Sequence, residues 1–499
     1  MSAAKGHGGR LPVVLRNPAF GAVWIAQVLT QGSARMFQVG IVWWLVQYAA
    51  ESEPGLASGA FLAVSTLPAV ALAPVVAAVI ARNPYRSVMA ASAAAAGLVA
   101  ACTAAWAFTT PLPTGVAYGA ALLLAGCQAL FDPCLTTSVP ELVDDADIEA
   151  ATGFELSTQS LAGLAGGLLG PLVADAWGLP GIVAGCAGAY LLAAGLIGVT
   201  RFPRTAPAGT TPAGTGVDGT GVEGTRSGGT AARSAEEPPP GGEPSAAPRR
   251  TLRQILAGLP FIRRVLLSFA AANVFTTAVF VVMPLYTASV LRADGSTVAL
   301  LEASLGIGTL AGSFTGARLP GRPTTVGAVC LGLMAASFAL PGMLADRTAY
   351  AVAMAVAGWC VGAVGVRFVA LFQRLVPPAD KPGFFAVMQS LLGATFPLAS
   401  LLFGVLGDQI SPQTLCLVQA TGLVPVALVL WWTGAGGKAA GELTVPPGSG
   451  ATAAAAGQRP GDPGAGEPAS AHDPGHVLPD ATAATATAAA AATAEGGAR

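Results

Sequence analysis

Charge is what this sequence has least of. Acidic and basic residues make up 10% of its 499 residues, where a soluble globular protein carries about 25%. So few charges could not hydrate a folded chain of this length, which excludes a soluble enzyme and leaves a membrane protein. The charge that is there balances to a net −1, so the chain offers no basic surface for nucleic acid. Histidine is nearly missing: His7, His472 and His476 all lie near the ends of the chain. A histidine-based triad or zinc site within the apolar part is thereby excluded. The seven cysteines (102, 127, 134, 186, 330, 360 and 416) form no CxxC and fall within apolar runs. They read as small apolar side chains rather than disulfides or metal ligands. No G-x-x-x-x-G-K-[ST] loop occurs, so no nucleotide site is expected, and no cofactor or metal is implied.

What the chain does have is long apolar runs. A helix needs about 20 mostly apolar residues to cross the hydrocarbon of a bilayer. Twelve such runs occur, near 18–48, 57–81, 87–109, 114–138, 153–174 and 180–200, then 264–290, 298–318, 324–344, 349–374, 383–405 and 413–433. The fold class expected is all-α: a polytopic membrane protein with twelve transmembrane helices in two six-helix bundles. The first apolar run is of full span length with no small-residue cleavage site, so no secretory signal peptide is expected. With the N-terminus in the cytoplasm, 21 of the 25 Lys and Arg fall in cytoplasmic segments. Outer loops receive only Arg292 and Arg347, and Arg35 and Arg367 lie within spans. The positive-inside rule therefore places both termini in the cytoplasm of a cell membrane.

The expected organisation is a cytoplasmic N-terminus (1–17), a first bundle (18–200), a cytoplasmic linker (201–262), a second bundle (263–433) and a disordered cytoplasmic tail (434–499). Residues 205–248 contain no Leu, Ile, Met, Phe, Tyr or Trp and cannot bury enough apolar area to offset ordering. As a flexible chain that segment reaches about 35 Å, enough to join two bundles side by side. The halves also echo each other. Leu142-Val143-Asp144-Asp145-Ala146-Asp147 follows the fourth span, and Leu375-Val376-Pro377-Pro378-Ala379-Asp380 follows the tenth. With six spans on either side of a linker, this fits the parallel repeat of a twelve-helix transporter.

Several motifs carry a family resemblance. Arg16-Asn17-Pro18-Ala19-Phe20 leads to Trp24-Ile25-Ala26-Gln27, and Val139-Pro140-Glu141-Leu142-Val143 follows the fourth span. Gly166-x-x-x-Gly170-Pro171 stands in the fifth span, Met283-Pro284-Leu285 in the seventh, and Glu302-Ala303-Ser304 through Gly312 in the eighth. With these, residues 16–433 resemble the major facilitator superfamily, specifically its drug:proton antiporter branch of macrolide-efflux and enterobactin-export proteins. The fifth-span pattern resembles that family's antiporter motif, which marks exporters more often than importers. There are departures. The family's A-D-R-x-x-R-R loop is here Ala81-Arg82-Asn83-Pro84-Tyr85-Arg86, without the Asp. Leu124-Ala125-Gly126-Cys127 stands where a fourth-span Arg is expected, and Gly383-Phe384 where Gly-Arg is usual. Latching and proton coupling are therefore expected to use other residues.

An ionisable side chain at the centre of a span costs roughly 2.5–3.5 kcal/mol on insertion scales, so it tends to face a cavity or a partner. In the first span Gln27, Gln31, Arg35 and Gln38 fall at i, i+4, i+8 and i+11, within about 80° of one another on a helix. Trp24 shares that edge. The spacing points to a polar cavity wall, with Arg35 holding an anion or pairing with a titrating carboxylate; the alternative is interhelical hydrogen-bond glue. Gln128, Asp132 and Thr136 repeat the pattern in the fourth span. Arg367 lies at the matching depth of the tenth, so an Asp132–Arg367 pair is expected to close the cytoplasmic side, unless each is paired within its own bundle. Glu302 is a second candidate proton site, because the resemblance implies a carboxylate there in macrolide-efflux relatives; otherwise it is an interfacial, snorkelling side chain. Glu155 suits a helix N-terminus. Gly163, Gly166 and Gly170 share one face of the fifth span beside Pro171, a close packing that can slide during alternating access. Asn273, Thr277, Trp359 and Gln389 are further candidate lining residues.

The expectation is a secondary exporter that exchanges protons for an amphipathic small molecule of antibiotic or siderophore type, acting as a monomer. Uptake by symport is the nearest alternative. A membrane enzyme acting on lipid-linked substrates would rest on Asp144-Asp145-x-Asp147 binding a Mg²⁺-diphosphate. That chemistry wants two facing acidic clusters, and a single one is more simply a solvated loop.

Overall fold

A computed structural model describes residues 13–49, 52–143, 148–200, 260–376 and 381–435. The expected linker at 205–248, the acidic stretch 144–147 and the tail from residue 436 lie outside the described residues. Contacts group residues 1–440 into one unit and 441–499 into a second, which is wholly outside them.

Every regular element among the described residues is helical. Asn17 opens α1 (Pro18–Trp44), its Oδ1 accepting from the Ala19 and Phe20 N–H groups, and a wider turn carries it to Ala49. α2 comprises Pro54–Ala71 and Ala73–Arg82, interrupted at Leu72. α3 (Tyr85–Thr109) and α4 (Thr114–Leu142) follow. One helical run, Ile148–Val199, then breaks at Gly178, whose φ of +63° a side chain would resist. This single residue turns the chain around and separates α5 (148–177) from α6 (179–199). The second half contains α7 (Pro260–Thr277 and Val279–Ser289), α8 (Gly295–Gly316), α9 (Pro323–Met343), α10 (Arg347–Leu375), α11 (Lys381–Gln409) and α12 (Pro412–Ala435). α12 thus takes in residues 434 and 435, which the sequence assigned to the tail.

Among the described residues ten helices are long and apolar enough to span a bilayer. One of them is the run that Gly178 divides in two. α1 is long enough but is diluted by its glutamines and Arg35, so that apolarity alone passes over it. Counted this way, the twelve spans are present and form two six-helix bundles. With α1 starting at what we term the near end, odd-numbered helices run toward the far end and even-numbered ones return.

Small residues set the tightest crossing. Gly308 and Gly312 of α8 face Gly358 and Gly362 of α10 so closely that a methyl on any of the four would lie within about 2.1 Å of a carbonyl oxygen of the other helix. With lipid outside and no hydrophobic drive between helices, such backbone approach supplies the packing. Between the halves, α2 packs on α11, α5 on α8, and the second part of α7 on α1 and α2. These contacts run from Gly55 with Asp408 to Gly59 with Ser400, and from Gly295 with Asp175 to Gly306 with Leu164. All belong to the far half of the molecule.

Candidate functional site

The polar edge of α1 serves two clusters. Toward the near end, Gln27 is 1% exposed and donates to Gln31 Oε1 at 3.3 Å. Gln31 Nε2 in turn donates to Asp132 Oδ1 at 3.3 Å, and Gln128 Nε2 reaches the same oxygen at 2.6 Å. The i, i+4 repeats on α1 and α4 thus meet at one carboxylate. Trp24 Nε1 donates to Thr158 Oγ1 and ties α1 to α5.

The second cluster lies farther along α1 and crosses between the halves. Arg35 Nη2 approaches both oxygens of Glu302 on α8, at 3.1 and 3.3 Å. Its Nη1 donates to Gln38 Oε1 at 2.8 Å, and the guanidinium carbon stands 4.7 Å from the centre of the Phe280 ring. Gln38 continues to Ser65 Oγ on α2. Glu302 is only 8% exposed, so the snorkelling reading is replaced by a buried ion pair. The space left among Arg35, Gln38, Leu62, Phe280, Met283 and Glu302 is about 10 Å³, at the lower limit for one water. At this level the halves are shut against each other.

The expected Asp132–Arg367 pair does not form. Arg367 Nη2 donates to the Leu319 carbonyl just beyond α8, within the second half. Asp132 is held by Gln31 and Gln128, within the first. Both side chains sit on the near parts of their helices, whereas the halves meet in the far part. Asn273 Nδ2 donates to Thr395 Oγ1 at 2.6 Å, Thr277 to the Asn273 carbonyl at 2.7 Å, and Trp359 Nε1 to Thr315 Oγ1 at 2.9 Å. Their polar atoms are thus engaged inside the second half, and Gln389 is exposed.

The glycine face of α5 divides. A Cβ on Gly166 would lie 2.5 Å from the Gly32 carbonyl, and one on Gly170 would lie 2.7 Å from that of Met36; Gly163 has open space. Gly170→Ala is therefore expected to cost about 1–3 kcal/mol by forcing α1 and α5 apart. Gly163→Ala is expected to leave thermal unfolding of the purified protein unchanged. Pro171 offers its carbonyl side to Gly295 of α8, so this end of the motif faces the other half.

Two of the resemblance motifs prove to touch. Asn17 Nδ2 donates to the Leu142 carbonyl at 2.6 Å, joining the near ends of α1 and α4. In the departing α2–α3 loop, Arg86 donates to the Ile197 and Gly198 carbonyls and satisfies the C-terminus of α6. The sequence reading passed over Asp175, Asp408 and Phe280. Asp175 and Asp408 fall just beyond the span ends used there, but they carry a signal. Each is a carboxylate in the last turn of a helix, where the dipole disfavours it.

Among the described residues no group of three or more His, Cys, Asp or Glu could hold a metal. The family model of the Major Facilitator Superfamily matches residues 23–366. Solved structures agree on the fold. The nucleoside transporter NupG (11% identity, 83% of this chain and 99% of that one) and the POT family transporter PepTSo (10%, 86% and 99%) both superpose with a TM-score of 0.59. A bacterial homolog of the human lysosomal transporter Spinster, in an inward-facing occupied conformation, gives 0.59 at 12% identity over 86% of this chain and 98% of its own. No curated protein matches with significance. The family match, spanning both halves, and the two-bundle architecture establish that the chain belongs to the major facilitator superfamily.

Proposed function

We propose that this superfamily member is a proton-driven exporter of an amphipathic small molecule, of the drug:proton antiporter branch, with its near end in the cytoplasm. The observation that carries the reading is the buried Arg35–Glu302 pair joining the halves. Opening the far side must part it, which exposes Glu302 to the solution there to take up a proton. Closure re-forms the ion pair with Arg35, and the proton leaves toward the near side. One proton thus moves inward for each outward step. The orientation rests on the excess of Lys and Arg in the near-end connections. Export rather than uptake is supported by the antiporter-like packing of Gly166 and Gly170 on α1, and the mixed glutamine, tryptophan and charged lining suits a bulky polar–apolar substrate.

The test is accumulation of antibiotics and siderophores in cells with and without the protein. Expression is expected to lower accumulation, and a protonophore to abolish the difference. Glu302→Gln is expected to behave as the protonophore does, and Asp132→Asn to weaken transport. Raised accumulation on expression would indicate symport instead. Unaltered transport in both variants would remove the two carboxylates from the proton path.

A further inference from the structure

We infer that the far side is held shut by two equivalent latches, in each of which an aspartate at the end of a helix in one bundle caps the start of a helix in the other. Asp408, in the last turn of α11, accepts from the backbone N–H groups of Gly55 and Leu56 in the first turn of α2, both at 2.7 Å. Asp175, in the last turn of α5, accepts from the N–H of Gly295, the first residue of α8. It also accepts from Trp43 Nε1 at 2.6 Å and Tyr48 Oη at 3.1 Å. Six helices on, α5 corresponds to α11 and α2 to α8, so the two contacts are related by the repeat.

Three observations set these contacts apart from ordinary helix capping. First, both receiving helices already carry an acidic residue at their own cap position, Glu53 for α2 and Asp294 for α8, and neither side chain caps its helix. The cap is supplied by the opposite bundle instead. Second, both capping groups are carboxylates in a last helical turn, an electrostatically poor site that is redeemed only by the N–H groups and positive pole of the partner helix. Third, glycine stands at both contacts. A Cβ at Gly55 would lie 2.5 Å from the Gly404 carbonyl, and one at Gly295 would lie 2.5 Å from that of Pro171. Each cap therefore exists only while the bundles touch, and parting them leaves the N–H groups and the carboxylate to find water. The latches make no use of the substrate or of the proton site. They bias the far-closed state whichever way transport runs, and they stand or fall separately from the exporter reading.

The size of a helix cap makes each latch worth about tenfold in the ratio of far-closed to far-open molecules. The test is the distance distribution between spin labels at Thr110→Cys and Thr348→Cys, far-end positions in opposite bundles, in purified full-length protein with its native cysteines replaced and no substrate added. Asp408→Ala is expected to raise the far-open population about tenfold, and Asp175→Ala to do likewise. The deciding variant is Asp408→Ala with Glu53→Ser, which gives α2 a cap of its own. A latch predicts that the far side stays open, because the new cap does not reach across. Return to the original distribution would overturn the proposal by showing that Asp408 merely completes a helix end. So would an unchanged distribution in Asp408→Ala. Should that variant fail to fold, Asp408→Asn keeps the volume and one acceptor; an intermediate shift supports the latch, and none refutes it.

Discussion

Arg35→Met is expected to destabilise the far-closed protein by roughly 3–5 kcal/mol, the cost of breaking a buried pair and leaving one charge behind. Glu302 is almost enclosed, and the neighbour on its other side is Gly167, a Cβ on which would sit 3.2 Å from its Oε2. Among the described residues the ion pair joins Glu302 to this guanidinium alone, so no second cation stands ready to replace Arg35. Glu302→Gln is expected to cost less, because Arg35 keeps Gln38 and the Phe280 face. The double variant Arg35→Met/Glu302→Gln is expected to recover most of the loss, since replacing both charges removes the buried orphan. Thermal unfolding of the four proteins closes the cycle, and strictly additive effects would show that the pair does not couple the halves. All three variants are expected to lose proton-driven transport, including the recovered double. That separates the pair's part in coupling from its part in stability.

Gly308→Leu and Gly358→Leu are expected to prevent accumulation of folded protein altogether. The α8–α10 crossing places backbone against backbone, so an added side chain has no flexible neighbour to push aside. Overpacking costs about 1–3 kcal/mol even where side chains can yield, and here two helices must part over two turns. Alanine at Gly312 already places its Cβ 2.0 Å from the Trp359 carbonyl. Gly365 on α10 has open space, and Gly365→Ala is expected to behave as the unaltered protein. Size-exclusion profiles of detergent-extracted protein distinguish these outcomes. The crossing also positions Trp359 Nε1 against Thr315 Oγ1, and milder substitutions that still fold are expected to disturb that hydrogen bond.

The spans could be read from the sequence because a bilayer demands long apolar runs, and α1 could be read in spite of its polar residues because these keep to one edge. Partners along one helix follow from that edge: Gln27 with Gln31 and Arg35 with Gln38 are neighbours by helical spacing. Partners in the other half are a different matter. Arg35 and Glu302 stand 267 residues apart, and no periodicity links them; the pairing follows from how α5 and α8 bring the halves together. Matching depth suggested Asp132 with Arg367, but depth does not say which end of two bundles is closed. Asp175 and Asp408 lie at span ends, where charge is tolerated, and their partners are helix starts in the other half, which no local spacing reveals.

The turn at Gly178 has a practical consequence for anyone seeking to grip this protein. Among the described residues the other far-end connections beyond α3 are also short, at 110–113, 290–294, 344–346 and 410–411. Two of them border the helix ends that carry Asp408 and receive Asp175. An antibody, protease or accessory protein approaching that face meets helix ends and almost no free backbone. An epitope inserted at residue 178 would replace the positive φ that reverses the chain, and one at 410–411 would sit against Asp408. Affinity tags and binders intended to leave the conformational cycle untouched therefore belong on the near face, where residues 200–259 separate α6 from α7.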